Sequence, residues 1–234
     1  MIRVVSLCSG YDSQCLALEA LKEVHPDFEY ELVAWSEIDK NAIKAHNLLF
    51  PQWADRNVGD MTKADWSKIG GCDLLTYSTP CTDISNAGLQ KGIAEGSDTR
   101  SSILWSTRNA IKELKPKYLM MENVSAFVGE KFRGELKKWL KELEGYGYKN
   151  FLPDSYPREW SKDERRTKRW CLNAKNYGVP QNRERVFVIS MLEGNYSFPK
   201  PFKLNKTLND VLEDKVDDKY YLSAEAIRKF FKEQ

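Results

Sequence analysis

The sequence predicts an α/β fold with a doubly wound, mostly parallel sheet, and three observations carry that prediction. Short apolar runs alternate with segments of helical spacing. Glycine, proline or an acidic residue stands where the runs stop. With 234 residues, 41% hydrophobic and 12% aromatic, the chain can bury a full core as one α/β domain or as two small ones.

Residues 2–7 read as a buried strand, Ser9-Gly10 as a turn, and residues 14–24 as a helix whose apolar face comes mostly from Leu16, Leu18 and Leu21. A second strand over 31–36 ends at Glu37, a helix follows over 40–49, and Val58-Gly59-Asp60 marks a third strand end. The apolar run 74–77 stops at Ser78-Thr79-Pro80-Cys81. Residues 101–114 have helical spacing through Ile103, Leu104, Ile111 and Leu114, and Lys115-Pro116-Lys117 ends that helix before the run 118–121 delivers Glu122-Asn123. Leu136, Trp139, Leu140 and Leu143 repeat at the i, i+3, i+4, i+7 spacing of another amphipathic helix. Residues 185–190 form the last strong strand. Pro199, Pro201 and the acidic stretch 210–218 then read as a surface excursion ending in a helix near 224–231.

Composition excludes several classes. No apolar run approaches the roughly 18 residues of a membrane span. The five cysteines are odd in number and show no paired metal-ligand spacing, so no metal site is expected. The amino terminus has no charged-then-apolar leader, which makes a reducing cytoplasm the natural compartment. Net charge is +2, unevenly placed: residues 1–60 carry five Lys or Arg against ten Asp or Glu, leaving +7 for the remainder. The densest basic segment, 158–169, reads equally as a phosphate-neutralising patch or a solvated loop.

Ligands of doubly wound sheets lie beyond the carboxyl ends of the strands, so Gly10, Glu37, Asp60, Cys81 and Glu122 should converge on one crevice. A thiol at a strand end can meet a ligand, whereas one inside a core is inert. Gly10 permits close backbone approach, and Glu37, 27 residues later, can accept from ribose hydroxyls. The three-glycine dinucleotide fingerprint is absent, which disfavours a nicotinamide cofactor. Singly, each residue has a plainer reading: Gly10 a turn, Glu37 a helix cap, Cys81 a small buried hydrophobe, Glu122 a solvated charge, residues 181–185 a charged strand edge.

Together they resemble a family. From Val4 to Leu222 the chain is similar to the DNA cytosine-5 methyltransferases through Ser9-Gly10, Ser36-Glu37-Ile38-Asp39, Gly59-Asp60, Pro80-Cys81, Asp98-Thr99-Arg100-Ser101, Glu122-Asn123-Val124 and residues 178–185 (Gly-Val-Pro-Gln-Asn-Arg-Glu-Arg), all in order. The resemblance implies a Rossmann-like, S-adenosylmethionine-dependent methyltransferase fold, an enzyme of the restriction-modification type acting on DNA, and a Cys81 adduct at C6 of cytosine that leads to methylation at C5. It implies that Glu122 protonates N3, that Arg185 holds O2, and that Arg183 and Asn123 stabilise the site. For the cofactor it implies Ser9, Gly10 and Tyr11 near the methionine part, Glu37 at the ribose, Ile38 and Met61 on the adenine faces, Asp60 at the adenine amino group, and Pro80 and Leu104 closing the pocket. A duplex cytosine must leave the stack to be reached, and the loop 82–100, with Gly88, Gly92 and Gly96, is the candidate lid.

The chain also departs from the pattern. Cys8 replaces an aromatic residue, Asp12 and Ser13 stand where glycines are usual, Thr82 replaces a glutamine, and residues 153–168 read as an insertion. Residues 1–190 are expected to be the catalytic and cofactor-binding domain, and 191–234 an extension leading toward a target-recognition region absent from the sequence. A second chain carrying that region, or a truncated form, is the expectation. The alternatives are a non-catalytic cofactor- or DNA-binding subunit and a tRNA cytosine-5 methyltransferase.

Overall fold

The computed structural model describes residues 1–85, 91–153 and 170–232. Seven strands form one sheet: β1 Ile2–Leu7, β2 Tyr30–Ser36, β3 Leu74–Tyr77, β4 Tyr118–Val124, β5 Lys149–Phe151, β6 Cys171–Asn173 and β7 Glu184–Met191. Their order is β2-β1-β3-β4-β7-β5, with β6 also paired to β7. The first four are parallel, as crossovers through α1 (Ser13–Val24), α2 (Lys40–Leu49) and α3 (Thr107–Leu114) require. β7 runs antiparallel against β4, β5 and β6. The sheet is thus the mostly parallel one expected.

Helices cover both faces, because central parallel strands must be apolar on both sides. One cluster joins Val5, Leu75 and Met121 to α3 and to Leu136, Trp139, Leu140 and Leu143 of α4 (Arg133–Gly145). The other joins Val4, Leu32 and Trp35 to Cys15, Phe50 and Trp53. Trp139 ties α4 to the sheet twice, donating to the Tyr77 hydroxyl at 3.0 Å and packing edge-on against that ring.

Three local expectations need correction. In α1 the buried residue is Cys15, while Leu16 is 39% exposed. Each helical residue turns about 100°, so with Cys15 and Leu18 against the second cluster, Leu16 points outward. Residues 58–60 end no strand. Pro51–Arg56 is a 3₁₀ helix, Asn57 makes a single bridge to Trp35, and Gly59, at φ 71°, turns the chain where a side chain would be strained. The helix expected over 101–114 is 3₁₀ from Arg100 to Ser106 and α-helical only afterwards.

The chain divides into two compact units, residues 1–173 with 183–200, and 174–182 with 201–234. In the second, the Phe202 amide donates to the Asn176 carbonyl at 2.9 Å, and α5 (Ala224–Lys232) forms the expected last helix. No helix among the described residues is long and apolar enough to cross a membrane. The basic segment 158–169, all of the 153–168 insertion except Pro153, and Gly88 of the expected lid lie outside the described residues. Where the lid loop is described, it is pinned. Ile84 and Ile93 are buried, the Gly92 amide donates to the Asp83 carbonyl at 2.9 Å, and Trp105 Nε1 donates to the Ile93 carbonyl at 2.7 Å.

Candidate active site

The strand order places the ends of β2, β1, β3 and β4 side by side, so Glu37, Gly10, Cys81 and Glu122 follow one another along one edge. Asp60 reaches that edge from the turn after Gly59, held by the Ser36 hydroxyl donating to the Gly59 carbonyl at 2.5 Å.

On the β3–β4 side, Pro80 and Cys81 are partly buried, and the Cys81 carbonyl accepts from the amides of Ile84 and Ser85 in a tight turn. The segment leading to Cys81 is fastened to β4. Asn123, buried, donates through Nδ2 to the Thr79 carbonyl at 3.2 Å, and its Oδ1 accepts the Val124 amide. The Ser78 hydroxyl accepts from Gln14 Nε2 at 2.8 Å, and its dipole favours the ionised Glu122 carboxylate. β7, being antiparallel, brings Arg185 opposite Val124, and Arg185 Nε lies 3.0 Å from Glu122 Oε1. Burial pushes the Glu122 carboxyl above its ordinary value, while Arg185, Arg183 and Ser78 hold it down part of the way. Arg183 has an exposed side chain, and its amide donates to Asn173 Oδ1 at 3.2 Å. The remaining thiols are poor nucleophiles: burial pushes Cys8, Cys72 and Cys171 up to about 12, and Cys15 upward as well.

On the β1–β2 side the fastening is through backbone amides. Glu37 Oε2 accepts the Gly10 amide at 2.9 Å, and Oε1 accepts the amides of Ile38 and Asp39 at 2.7 and 2.9 Å. Gly10 is left-handed at φ 60°, and a side chain there would meet open space, so a ligand can approach its backbone. Tyr11 and Ile38, 52% and 71% exposed, present bare apolar surface, whereas Ser9, Met61 and Leu104 are buried. Cys8 Sγ contacts Met61 Sδ at 3.5 Å. The Asp60 carboxylate is occupied locally by the Thr62 amide and hydroxyl and by Lys63, which hold it below its ordinary value.

Sequence reasoning missed the supports. Asn57 accepts the amides of Glu37 and Gly59 on Oδ1 at 3.2 and 2.9 Å and donates to the Glu37 carbonyl at 3.1 Å, locking the Glu37 and Gly59 loops together. Gln14, Ser78 and Thr79 do the same between α1, β3 and β4. Nothing in spacing announces them, since each acts through a contact between residues more than 18 positions apart. Among the described residues no cluster of His, Cys, Asp or Glu could hold a metal.

Two curated relatives are similar across most of the chain. Type II methyltransferase M2.ScrFI of Lactococcus lactis subsp. cremoris is 39% identical over 86% of this chain and 52% of its own. Orphan methyltransferase M.SssI of Spiroplasma monobiae is 37% identical over 71% of this chain and 40% of its own. The chain thus spans about half the length of the curated relatives it matches. Among solved structures, S. pombe Dnmt2 methyltransferase superposes with a TM-score of 0.66 over all of this chain and 66% of that one. At 20% identity, that likeness speaks to the fold alone. A putative DNA modification methyltransferase from an E. coli prophage gives a TM-score of 0.65 at 22% identity, over 93% and 57%. The family model for C-5 cytosine-specific DNA methylases matches residues 2–234, and the chain belongs to that family.

Proposed function

We propose that this chain is the catalytic part of an S-adenosylmethionine-dependent DNA cytosine-5 methyltransferase. The observation that carries the proposal is the fastening of the Cys81 turn to the strand bearing Glu122, with Arg185 completing the group. The residues also fit the cofactor. An open glycine backbone, a carboxylate fixed by three amides and the exposed Ile38 suit a methionine moiety, a ribose and an adenine face in turn. Ser9, Tyr11, Asp60, Met61, Pro80 and Leu104 would complete that pocket. When bound, S-adenosylmethionine supplies an electrophilic methyl group.

The chain's own residues prepare the base. The Cys81 thiolate adds to C6, breaking the C5–C6 double bond and pushing its electron pair toward C5, which becomes nucleophilic. Glu122, whose carboxyl burial pushes toward the protonated form, gives a proton at N3 and relieves the charge gained by the ring. Arg185 holds O2, and Arg183 adds positive potential. After C5 has taken the methyl group, loss of its proton returns an electron pair to the C5–C6 bond and expels the Cys81 thiolate, while N3 gives its proton back to Glu122. A polypeptide beyond residues 1–234, a second chain among the options, supplies recognition of the DNA site, in keeping with relatives about twice as long.

Incubation with 5-fluorocytosine DNA and cofactor tests this, because fluorine at C5 cannot leave as a proton and traps the adduct. The expected result is a covalent complex that disappears in Cys81→Ser. Its absence with every candidate partner present would overturn the catalytic reading in favour of a binding subunit. A parallel arm with tRNA carrying the same base decides the substrate.

A further inference from the structure

Asp12 is a buried carboxylate with one oxygen to spare. It sits at φ 66°, ψ 63°, closes the turn that begins at Ser9 by donating its amide to the Ser9 carbonyl at 2.9 Å, and is fully buried. Oδ1 accepts the Cys15 amide at 3.2 Å and so caps α1, with the Ser6 hydroxyl also against the carboxylate. Oδ2 is buried with no hydrogen-bond partner and lies 3.9 Å from Nε2 of His46. His46 is equally buried, stacked on Trp35 with ring centroids 3.6 Å apart, and neither ring nitrogen makes a well-formed hydrogen bond. Capping α1 explains one oxygen of Asp12 and none of His46.

Position gives the pair its meaning. Asp12 ends the Gly10 turn, and His46 belongs to α2, the helix that starts directly after Glu37-Ile38-Asp39. Trp35, under the imidazole, lies two residues before Glu37. We propose that Asp12 and His46 act as one proton-sharing clamp that positions the Gly10 and Glu37 loops, so that cofactor affinity depends on the proton count of the pair. The inference rests on the reading that these two loops hold S-adenosylmethionine.

Ionised Asp12 can accept Nε2–H from neutral His46 once the 3.9 Å gap closes, whereas protonated Asp12 has lost the charge that draws the donor in. Burial pushes Asp12 up to about 6 and pushes His46 down from its ordinary value, while the two side chains face each other at 3.9 Å. Of the other groups packed here, Cys15 on α1 and Tyr30 on β2 are driven upward by burial and by neighbouring charge, including that of Glu19. Ser6, Trp35, Asn47 and Phe50 carry no charge. Asp12 and His46 are left as the pocket's titrating pair.

The test measures binding of S-adenosylhomocysteine by calorimetry at pH 5.5 and 7.5, for the wild type and for Asp12→Asn. Asparagine keeps both the tolerance for left-handed backbone and the cap. Wild-type affinity should fall about fourfold at the lower pH, the ratio for one group titrating near 6 that must be ionised. In Asp12→Asn binding should be weak at both values, and any residual pH dependence is the ligand's own. Proton NMR provides a second readout free of ligand. The chain has two histidines, His25 is exposed, and the His46 signal is identified by its loss in His46→Phe, which keeps the ring on Trp35. The His46 midpoint should drop in Asp12→Asn, because the carboxylate that favours imidazolium is gone. Equal pH dependence in wild type and variant, or an unmoved His46 midpoint, overturns the clamp. Failure of the wild type to bind at any pH overturns the cofactor reading itself, a different result from binding that ignores pH.

Discussion

Glu37 and Glu122 stand at the ends of two strands of one sheet, yet their surroundings differ. Glu37 is gripped by three backbone amides from its own loop and the Gly10 turn. Glu122 meets side chains: the Arg185 guanidinium at 3.0 Å, the potential of Arg183 and the Ser78 hydroxyl. Amides of a folded backbone hold a fixed partial charge and cannot withdraw, so they make Glu37 a stationary acceptor suited to neutral hydroxyls. Side-chain partners in a half-buried setting offset one another, with desolvation favouring the acid and the arginines favouring the anion, and such balance suits a group that exchanges a proton. On the proposed function, the Glu37 side is built to hold and the Glu122 side to react.

Exchanging the two carboxylates' chemistry in turn sharpens that contrast. Glu122→Gln should lower turnover by about 10²–10⁴-fold, the range for losing a positioned general acid, with S-adenosylhomocysteine binding unchanged by calorimetry. Glu37→Gln should do the reverse, weakening cofactor binding while leaving the rate at saturating cofactor within a few-fold. If both variants lose turnover and keep affinity, the division of labour along the edge is wrong.

A smaller effect is expected one layer out. Asn57 uses three hydrogen bonds to join the Glu37 and Gly59 loops. At about 1 kcal/mol net for each of the one or two bonds that matter, Asn57→Ala should raise the cofactor dissociation constant roughly tenfold and leave the rate at saturation intact. Loss of folding instead, seen as an early thermal transition, would make Asn57 a part of the core rather than of the cofactor side.

How much of this was legible beforehand follows from the kind of signal involved. Apolar runs gave β1 to β4 and β7, because strands covered by helices on both faces must be largely apolar, and the spacing of Leu136, Trp139, Leu140 and Leu143 gave the buried face of α4. Residues 58–60 misled because Gly-Asp after an apolar residue looks the same behind a strand or behind a 3₁₀ helix. Leu16 misled because hydrophobicity does not say which side of a helix faces the sheet, and the smaller Cys15 took that place. The motifs named the groups proposed to react. They were silent on Asn57, Ser78, Gln14 and His46, whose roles exist only once distant segments meet.

The smallest effect probes the link between the two sides. Gln14, on the helix that follows the Gly10 turn, donates to Ser78, and the Ser78 hydroxyl's dipole bears on Glu122, so the acid is reached from the Gly10 side through a hydroxyl. That dipole favours the ionised carboxylate, and Ser78→Ala should therefore raise the Glu122 pKa further. If protonated Glu122 is the working form, activity falls as pH rises through that value, and the variant's alkaline limb must move to higher pH. The stability sign agrees. A carboxyl raised above its unfolded value contributes stability that is fully present below about 4.5 and is lost as pH rises through the folded value, and Ser78→Ala should widen that window upward. Turnover at neutral pH should change by only about two- to fivefold, since one neutral hydroxyl is removed while Arg185 stays in place. An alkaline limb that stays put, or moves down, would mean that Ser78 serves the strand end alone and that the two sides are independent.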